Sequence, residues 1–117
     1  MSKIIVYGIP HCDTIKKTRD WLKKNKVDFE FHDYKKSGIT KDKLTVWCKQ
    51  IRWEVLLNKQ SSTWRGLVPE LQEKITSQSA AIKLMTENTS IIKRPVIETG
   101  QHILVGFTET AFIKHLK

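Results

Sequence analysis

The most reactive side-chain chemistry in this 117-residue chain belongs to its two cysteines, Cys12 and Cys48. Cys12 follows the apolar run Ile4-Ile5-Val6-Tyr7 and the break Gly8-Ile9-Pro10-His11, and it precedes a segment with helical spacing. A cysteine between a buried strand and the start of a helix has backbone N–H groups directed at its sulfur. Those unpaired donors, with the positive end of the helix dipole, favour a thiolate. Lys16, Lys17 and Arg19 add positive potential within the next two turns. Such surroundings lower a thiol pKa from about 8.5 to roughly 3.5–7.5, which makes a nucleophile at neutral pH. The alternative is a packing cysteine, since free cysteines are often buried. A strand–turn–helix tip is seldom a core position, which favours the nucleophile. Cys48 shares an apolar stripe with Leu44, Trp47 and Ile51 and reads as a small hydrophobe.

Other candidates surround this cysteine or lie far from it in sequence. Arg94 precedes Pro95 at the start of an apolar run. It is either an ordinary surface cation or a planar fork of donors for a carboxylate or oxyanion. His11 adds positive potential when protonated, and Asp13 suits the first turn of a helix. Arg65, in Thr63-Trp64-Arg65, is either a solvated arginine or one that approaches the site. Two cysteines cannot form the framework of a disulfide-rich secreted protein, and no C-x-x-C or zinc-like spacing joins them to His11, His32, His102 or His115. The expectation is reduced thiols, no resident metal and no bound cofactor.

The elements needed to hold Cys12 in place are legible in order. Ile4 to Tyr7 reads as a strand buried on both faces. A helix is predicted from Thr14 to Lys24, with Ile15, Thr18 and Leu22 inward. Val27, Phe29 and Phe31 alternate with polar residues as in a half-buried strand, which completes a right-handed βαβ crossover. Thr40 is a predicted N-cap for a helix carrying Leu44, Trp47, Cys48 and Ile51 inward. Trp53 to Leu57 suggests a further helical turn, and Asn58 to Thr63 a loop. Pro69 suits the first turn of a helix reaching Ile75. Ser79 is the predicted cap of another helix, which ends near Asn88. Val96–Glu98 and Ile103–Val105 form a predicted hairpin, and Thr108 caps a last helix carrying Phe112 and Leu116. One mixed sheet flanked by helices is the packing these elements favour.

Composition narrows the class further. Hydrophobic residues make up 39% and charged residues 28%, which excludes disordered and collagen-like chains. No apolar run approaches the roughly 20 residues that span a bilayer, and no secretory signal is visible. A cytoplasmic, soluble, monomeric protein without a membrane partner is expected. Twenty-one Lys and Arg against twelve Asp and Glu give a net charge of +9. The lysines are dispersed rather than gathered in one tract, and no nucleic-acid motif accompanies them. A solvated basic surface is therefore favoured over a nucleic-acid partner.

The segment Val6-Tyr7-Gly8-Ile9-Pro10-His11-Cys12-Asp13-Thr14-Ile15-Lys16-Lys17 resembles the active-site segment of the arsenate reductase (ArsC/Spx) family, within its YffB-like branch. Phe31-His32-Asp33-Tyr34, Trp53 to Asn58, Thr63-Trp64-Arg65, Ile92-Lys93-Arg94-Pro95 and Val105-Gly106-Phe107 extend the resemblance over nearly the whole chain. It implies an α/β thioredoxin-like fold: βαβ and ββα halves, a mixed four-stranded sheet, and a helical insertion at about 40–90 within one domain, 1–117. It implies Cys12 as nucleophile and Arg94, before a cis Pro95, as the group holding oxyanion and thiolate. The residues expected to contact substrate are Pro95, His11, Asp13, Thr14 and Arg65. Two further oxyanion-gripping arginines of the family correspond to Asn58 and Gly106 here, which argues against efficient arsenate reduction. The implied activity is glutathione-dependent thiol–disulfide reduction, with glutathione as co-substrate. The alternative implied by the Spx branch is a regulatory module contacting RNA polymerase. That branch carries a C-x-x-C switch, whereas Ile15 occupies the second cysteine's position here.

Overall fold

The computed structural model describes residues 3–116. In chain order the elements are β1 (Ile5–Gly8), α1 (Asp13–Lys24), β2 (Glu30–Asp33), α2 (Tyr34–Ser37), α3 (Lys41–Trp47), α4 (Trp53–Leu56), α5 (Ser62–Arg65), α6 (Pro69–Glu73), α7 (Gln78–Glu87), a 3₁₀ turn (Thr89–Ile91), β3 (Val96–Glu98), β4 (Ile103–Val105) and α8 (Glu109–Leu116). They fall into two compact units. One holds the chain up to Ser37 together with the segment from Arg94 onward, and the other holds Gly38–Lys93.

The first unit carries the sheet, ordered β2-β1-β3-β4. β1 runs parallel to β2 and antiparallel to β3, and β3 pairs antiparallel with β4. This is the expected mixed four-stranded, thioredoxin-like arrangement. Register sets Val6 beside Phe31 and Ile97, and Ile97 beside Leu104. Because side chains alternate along a strand, these four share one face. Leu22 of α1 and Phe112 and Leu116 of α8 pack on that face to make the core. The Phe112 ring meets Trp21 at 5.2 Å and Phe107 at 5.1 Å between centroids, both edge-on.

The opposite face mixes polar and apolar groups, with Tyr7 and Val96 buried and His32 and Glu98 half-buried. Tyr7 lies between His32 and Val96 in the register, and its hydroxyl donates to Glu98 Oε1 at 2.8 Å. The His32 ring stands 4.7 Å from Tyr7 and 5.9 Å from Tyr34. β1 ends at the buried Gly8 for a steric reason: a Cβ there would run into the Ile15 side chain, which α1 lays against it.

Two boundaries in this unit differ from the periodicity reading. Helix α1 begins at Asp13, one residue before the predicted Thr14. Strand β2 begins at Glu30, not Val27. Lys26 takes φ 58°, its N–H reaches the Lys23 carbonyl at 3.1 Å, and the Val27 N–H reaches Leu22 at 2.9 Å. This Schellman end commits the Val27 amide to the helix, so it is unavailable to the ladder. Val27 and Phe29 still pack against the core from outside the strand.

The second unit is helical around buried Leu44, Trp47, Leu56, Met85 and Ile91. Thr40 caps α3 as predicted, its hydroxyl accepting from the Lys43 N–H at 3.1 Å. The helix stops at Trp47 instead of reaching Ile51, because the Lys49 and Gln50 amides turn back to Val46 and Trp47. Pro69 opens α6. Within the segment expected to be a loop, Ser61 accepts from the Trp64 N–H at 3.2 Å and starts α5. The cap of α7 is Ser77, accepting from Ala80 at 3.3 Å, and not Ser79. Both serines satisfy the local rule, and the earlier one is used while Ala81, Ile82 and Met85 stay buried as expected. Leu57 bridges Ile92 in antiparallel fashion, which ties the end of this unit back to its middle. Among the described residues, no helix is long and apolar enough to cross a membrane.

Phe112 is fully buried where α8 meets the sheet, so Phe112→Ala is expected to destabilise the protein by about 3–5 kcal/mol. Chemical denaturation followed by tryptophan fluorescence reads this as a lower midpoint.

Candidate active site

Cys12 occupies the N-cap of α1 in an extended conformation, φ −127° and ψ 129°, and its carbonyl accepts the Lys16 N–H at 2.9 Å. An N-cap side chain normally offers an oxygen to the amides two and three residues on. Here a half-buried sulfur stands in that place, facing the N–H groups of Thr14 and Ile15 more loosely than a formal capping hydrogen bond. Burial pushes the Cys12 thiol up, but the Ile15 and Thr14 amides pull it down, as do the charge and side-chain hydrogen bond of Arg94. The lowering influences win, and the thiol lies below the usual value.

Arg94 reaches the sulfur from the start of β3. The Arg94–Pro95 peptide is cis, and the Pro95 carbonyl accepts the Gly106 N–H at 2.8 Å. Gly106 itself takes φ +85°, a backbone conformation in which an arginine would be strained.

The remaining sequence candidates are placed as follows. Thr14 is half-buried, presents its N–H to the sulfur, and accepts the Thr18 hydroxyl on its carbonyl at 2.8 Å. Asp13 is exposed as the first residue of α1, and His11 is exposed beside Cys12. Pro95 is buried. These five (Cys12, Arg94, Pro95, Thr14 and Asp13), with His11, belong to the first compact unit. Arg65 and Asn58 belong to the other unit. There Arg65 is exposed at the end of α5, in a helical turn and not a loop.

Other groups near the site were not evident from local pattern. The Tyr34 hydroxyl is buried and has no hydrogen-bond partner among the described residues. Burial pushes the Tyr34 phenol up; Tyr7 and Glu98 push the same way, and Arg94 opposes them. Burial likewise raises Tyr7, reinforced by its hydrogen bond to Glu98. Both phenols are neutral donors at working pH. Within β3, alternation sets Val96 and Glu98 on the face that carries Tyr7 of β1.

Beside Cys12 lies a groove of about 390 Å³ that runs along α1. Cys48 offers a contrast. It is half-buried at the C-cap of α3, and burial and then the Glu54 carboxylate push its thiol up. Among the described residues, no group of three or more His, Cys, Asp or Glu side chains is placed to hold a metal ion.

Comparison with known proteins agrees with this geometry. A model of the ArsC family matches residues 7–114. The solved structure of a protein named YffB is 41% identical, with a TM-score of 0.93, and covers 98% of this chain and 100% of its own. A solution structure of an arsenate reductase (ArsC) related protein from Brucella melitensis is 37% identical, with a TM-score of 0.76, over 97% of this chain and 93% of that one. An uncharacterized Haemophilus influenzae protein is 38% identical over 93% of this chain and 95% of its own length. The global transcriptional regulator Spx of Streptococcus agalactiae is 29% identical over 91% of this chain and 77% of that protein.

Cys12 is expected to alkylate with iodoacetamide along a pH profile whose midpoint lies below the value of about 8.5 for a free cysteine. The sign follows from the lowered thiol: the amides and Arg94 favour the anion, so the thiolate persists to lower pH than in an unfolded chain. Arg94→Ala should move the midpoint upward, and Cys48 should react more slowly than free cysteine at the same pH. A Cys12 profile that matches free cysteine and ignores Arg94→Ala would refute the electrostatic account.

Proposed function

Because the chain belongs to the ArsC family, we propose that it is a thiol–disulfide oxidoreductase in which Cys12 is the sole nucleophile, Arg94 holds its thiolate, and glutathione supplies the electrons. The observation that carries this reading is the Cys12 sulfur, held toward the anionic form by two backbone amides and a guanidinium against the opposing effect of burial. A thiolate is the attacking species in disulfide exchange.

The proposed cycle balances with two molecules of glutathione. The Cys12 thiolate bonds to one sulfur of a substrate disulfide, the substrate S–S bond breaks, and the other sulfur leaves as a thiolate that takes a proton. A glutathione thiolate then bonds to the Cys12 sulfur and releases the first substrate sulfur. A second glutathione attacks the glutathione sulfur of that mixed disulfide, which yields oxidised glutathione and returns the Cys12 thiolate. The substrate gains the two electrons that glutathione loses. Ile15 stands where a C-x-x-C motif would place a resolving thiol, so an external thiol is required. Thr14 and Arg94 stabilise each leaving thiolate, His11 and Asp13 flank the approaching substrate, and Pro95 fixes Arg94. The protein acts in the cytoplasm, where glutathione is kept reduced, and has no resident cofactor.

Arsenate is disfavoured as a substrate. Arg94 is present, but Asn58 and Gly106 stand where the family resemblance places the other two guanidinium groups. Each charge-assisted contact to a dianion contributes about 1.5–3 kcal/mol. The Spx relative supports a second reading, a regulatory protein contact, in which Cys12 is dispensable.

The test is turnover of hydroxyethyl disulfide coupled to NADPH through glutathione and glutathione reductase. Cys12→Ser is expected to reduce kcat by about 10³-fold or more. Mass spectrometry of the wild type treated with oxidised glutathione should locate one adduct, on Cys12. Turnover that survives Cys12→Ser, or no adduct at Cys12, would refute the enzyme and leave the regulatory reading.

A further inference from the structure

The groove that opens beside Cys12 continues down α1 past Lys16, Arg19, Asp20 and Lys23. From Cys12 to Lys23 a helix rises about 16 Å. Extended peptide advances at most about 3.3–3.6 Å per residue, so a tripeptide thiol whose sulfur sits on its middle residue spans only the upper part of that distance. Roughly five extended residues are needed to fill it.

The charge along the groove alternates. Asp13, Lys16, Asp20 and Lys23 lie three or four residues apart, on one stripe of the helix. Helix α1 as a whole carries five cations against the carboxylates of Asp13 and Asp20. Lys16 and Lys23 are exposed, and neither forms an ion pair with a described residue. Arg19 is half-buried with its guanidinium 4.8 Å over the Phe31 ring, which fixes the cation in position before any ligand arrives.

We propose that this groove binds an extended segment of a protein substrate, with acidic residues following its disulfide-bonded cysteine and meeting Lys16, Arg19 and Lys23. Reaction at Cys12 takes a sulfur, which nucleic acid lacks, and filling the groove as far as Lys23 takes more chain than a small disulfide has, although such a disulfide can still react at Cys12. The Asp20 carboxylate rejects an acidic residue opposite it and so sets spacing within the segment. This inference rests on the disulfide-exchange reading. It adds that the substrate is a protein cysteine in an acidic extended segment, whereas glutathione serves only as reductant. In the exchange step the Cys12 sulfur bonds to that cysteine's sulfur, and the protein's former disulfide partner leaves as a thiolate.

The test measures binding apart from chemistry. Two fluorescein-labelled seven-residue peptides, with serine for the central cysteine and either glutamates or lysines after it, are titrated by anisotropy onto full-length Cys12→Ser protein. The acidic peptide is expected to bind about tenfold tighter at low ionic strength. Lys16→Gln with Lys23→Gln should erase that preference, whereas the charge-matched pair Lys35→Gln with Lys36→Gln in α2 should keep most of it. Equal binding of the two peptides, or equal losses from the two pairs, overturns the groove assignment. The two readings fail separately. Turnover of hydroxyethyl disulfide without peptide preference sinks this inference alone, and peptide preference without any turnover sinks the enzyme.

Discussion

A helix must offer its first amides an acceptor, and in this protein the acceptor is the sulfur of Cys12. The relation is reciprocal. The amides of Thr14 and Ile15 favour the thiolate, and an anion at that position favours the first turn of α1. Burial works against both by penalising the charge. Arg94 adds a full positive charge and a hydrogen bond from the start of β3. The functional state of the sulfur therefore depends on the sheet register that brings the beginning of β3 beside the end of β1.

That register is secured on both faces of the sheet by different means. On one, Val6, Ile97 and Leu104 pack with Leu22, Phe112 and Leu116 in an apolar core. On the other, the Tyr7, His32 and Tyr34 rings meet at tilted and edge-on angles, and the Tyr7 hydroxyl ties β1 to Glu98 of β3. Both phenols are held neutral by burial, so Tyr7 ties β1 to β3 and Tyr34 packs beside it without either adding an anion to compete with the thiolate. Gly8 completes the arrangement, because only a residue without a side chain lets Ile15 lie against the end of β1. Cys48 shows what a thiol becomes without these features: burial and a neighbouring carboxylate raise it, and it stays a neutral, poorly nucleophilic group.

The chemistry of the site follows from what surrounds a single sulfur. One guanidinium suffices to hold a thiolate but grips a free oxyanion weakly, and the open side of the sulfur leads to a long groove of alternating charge. Both features suit exchange with an extended, sulfur-bearing partner more than capture of a compact dianion. In the proposed cycle Ile15 stands where a resolving thiol would be, so the reductant comes from solution.

Much of this was legible in the linear chain. A short apolar run, a Gly-Ile-Pro break and a cysteine before a 3.6-residue stripe predict the strand–turn–helix tip at Cys12, because strand and helix periods are local properties. Thr40 and Pro69 mark their helix starts for the same reason: capping and a missing N–H act within one turn. Where two local solutions were equally good, as with Ser77 and Ser79, the pattern chose the wrong one, and the Schellman end at Lys26 displaced β2 from Val27 to Glu30. The contrast between the two thiols was read from local pattern, but the contact of Arg94 with Cys12, the Glu54 carboxylate beside Cys48 and the orphaned Tyr34 hydroxyl were decided only by tertiary structure. Charge, burial and hydrogen bonding at a sulfur depend on which distant residues the sheet sets beside it, and no period or cap encodes that.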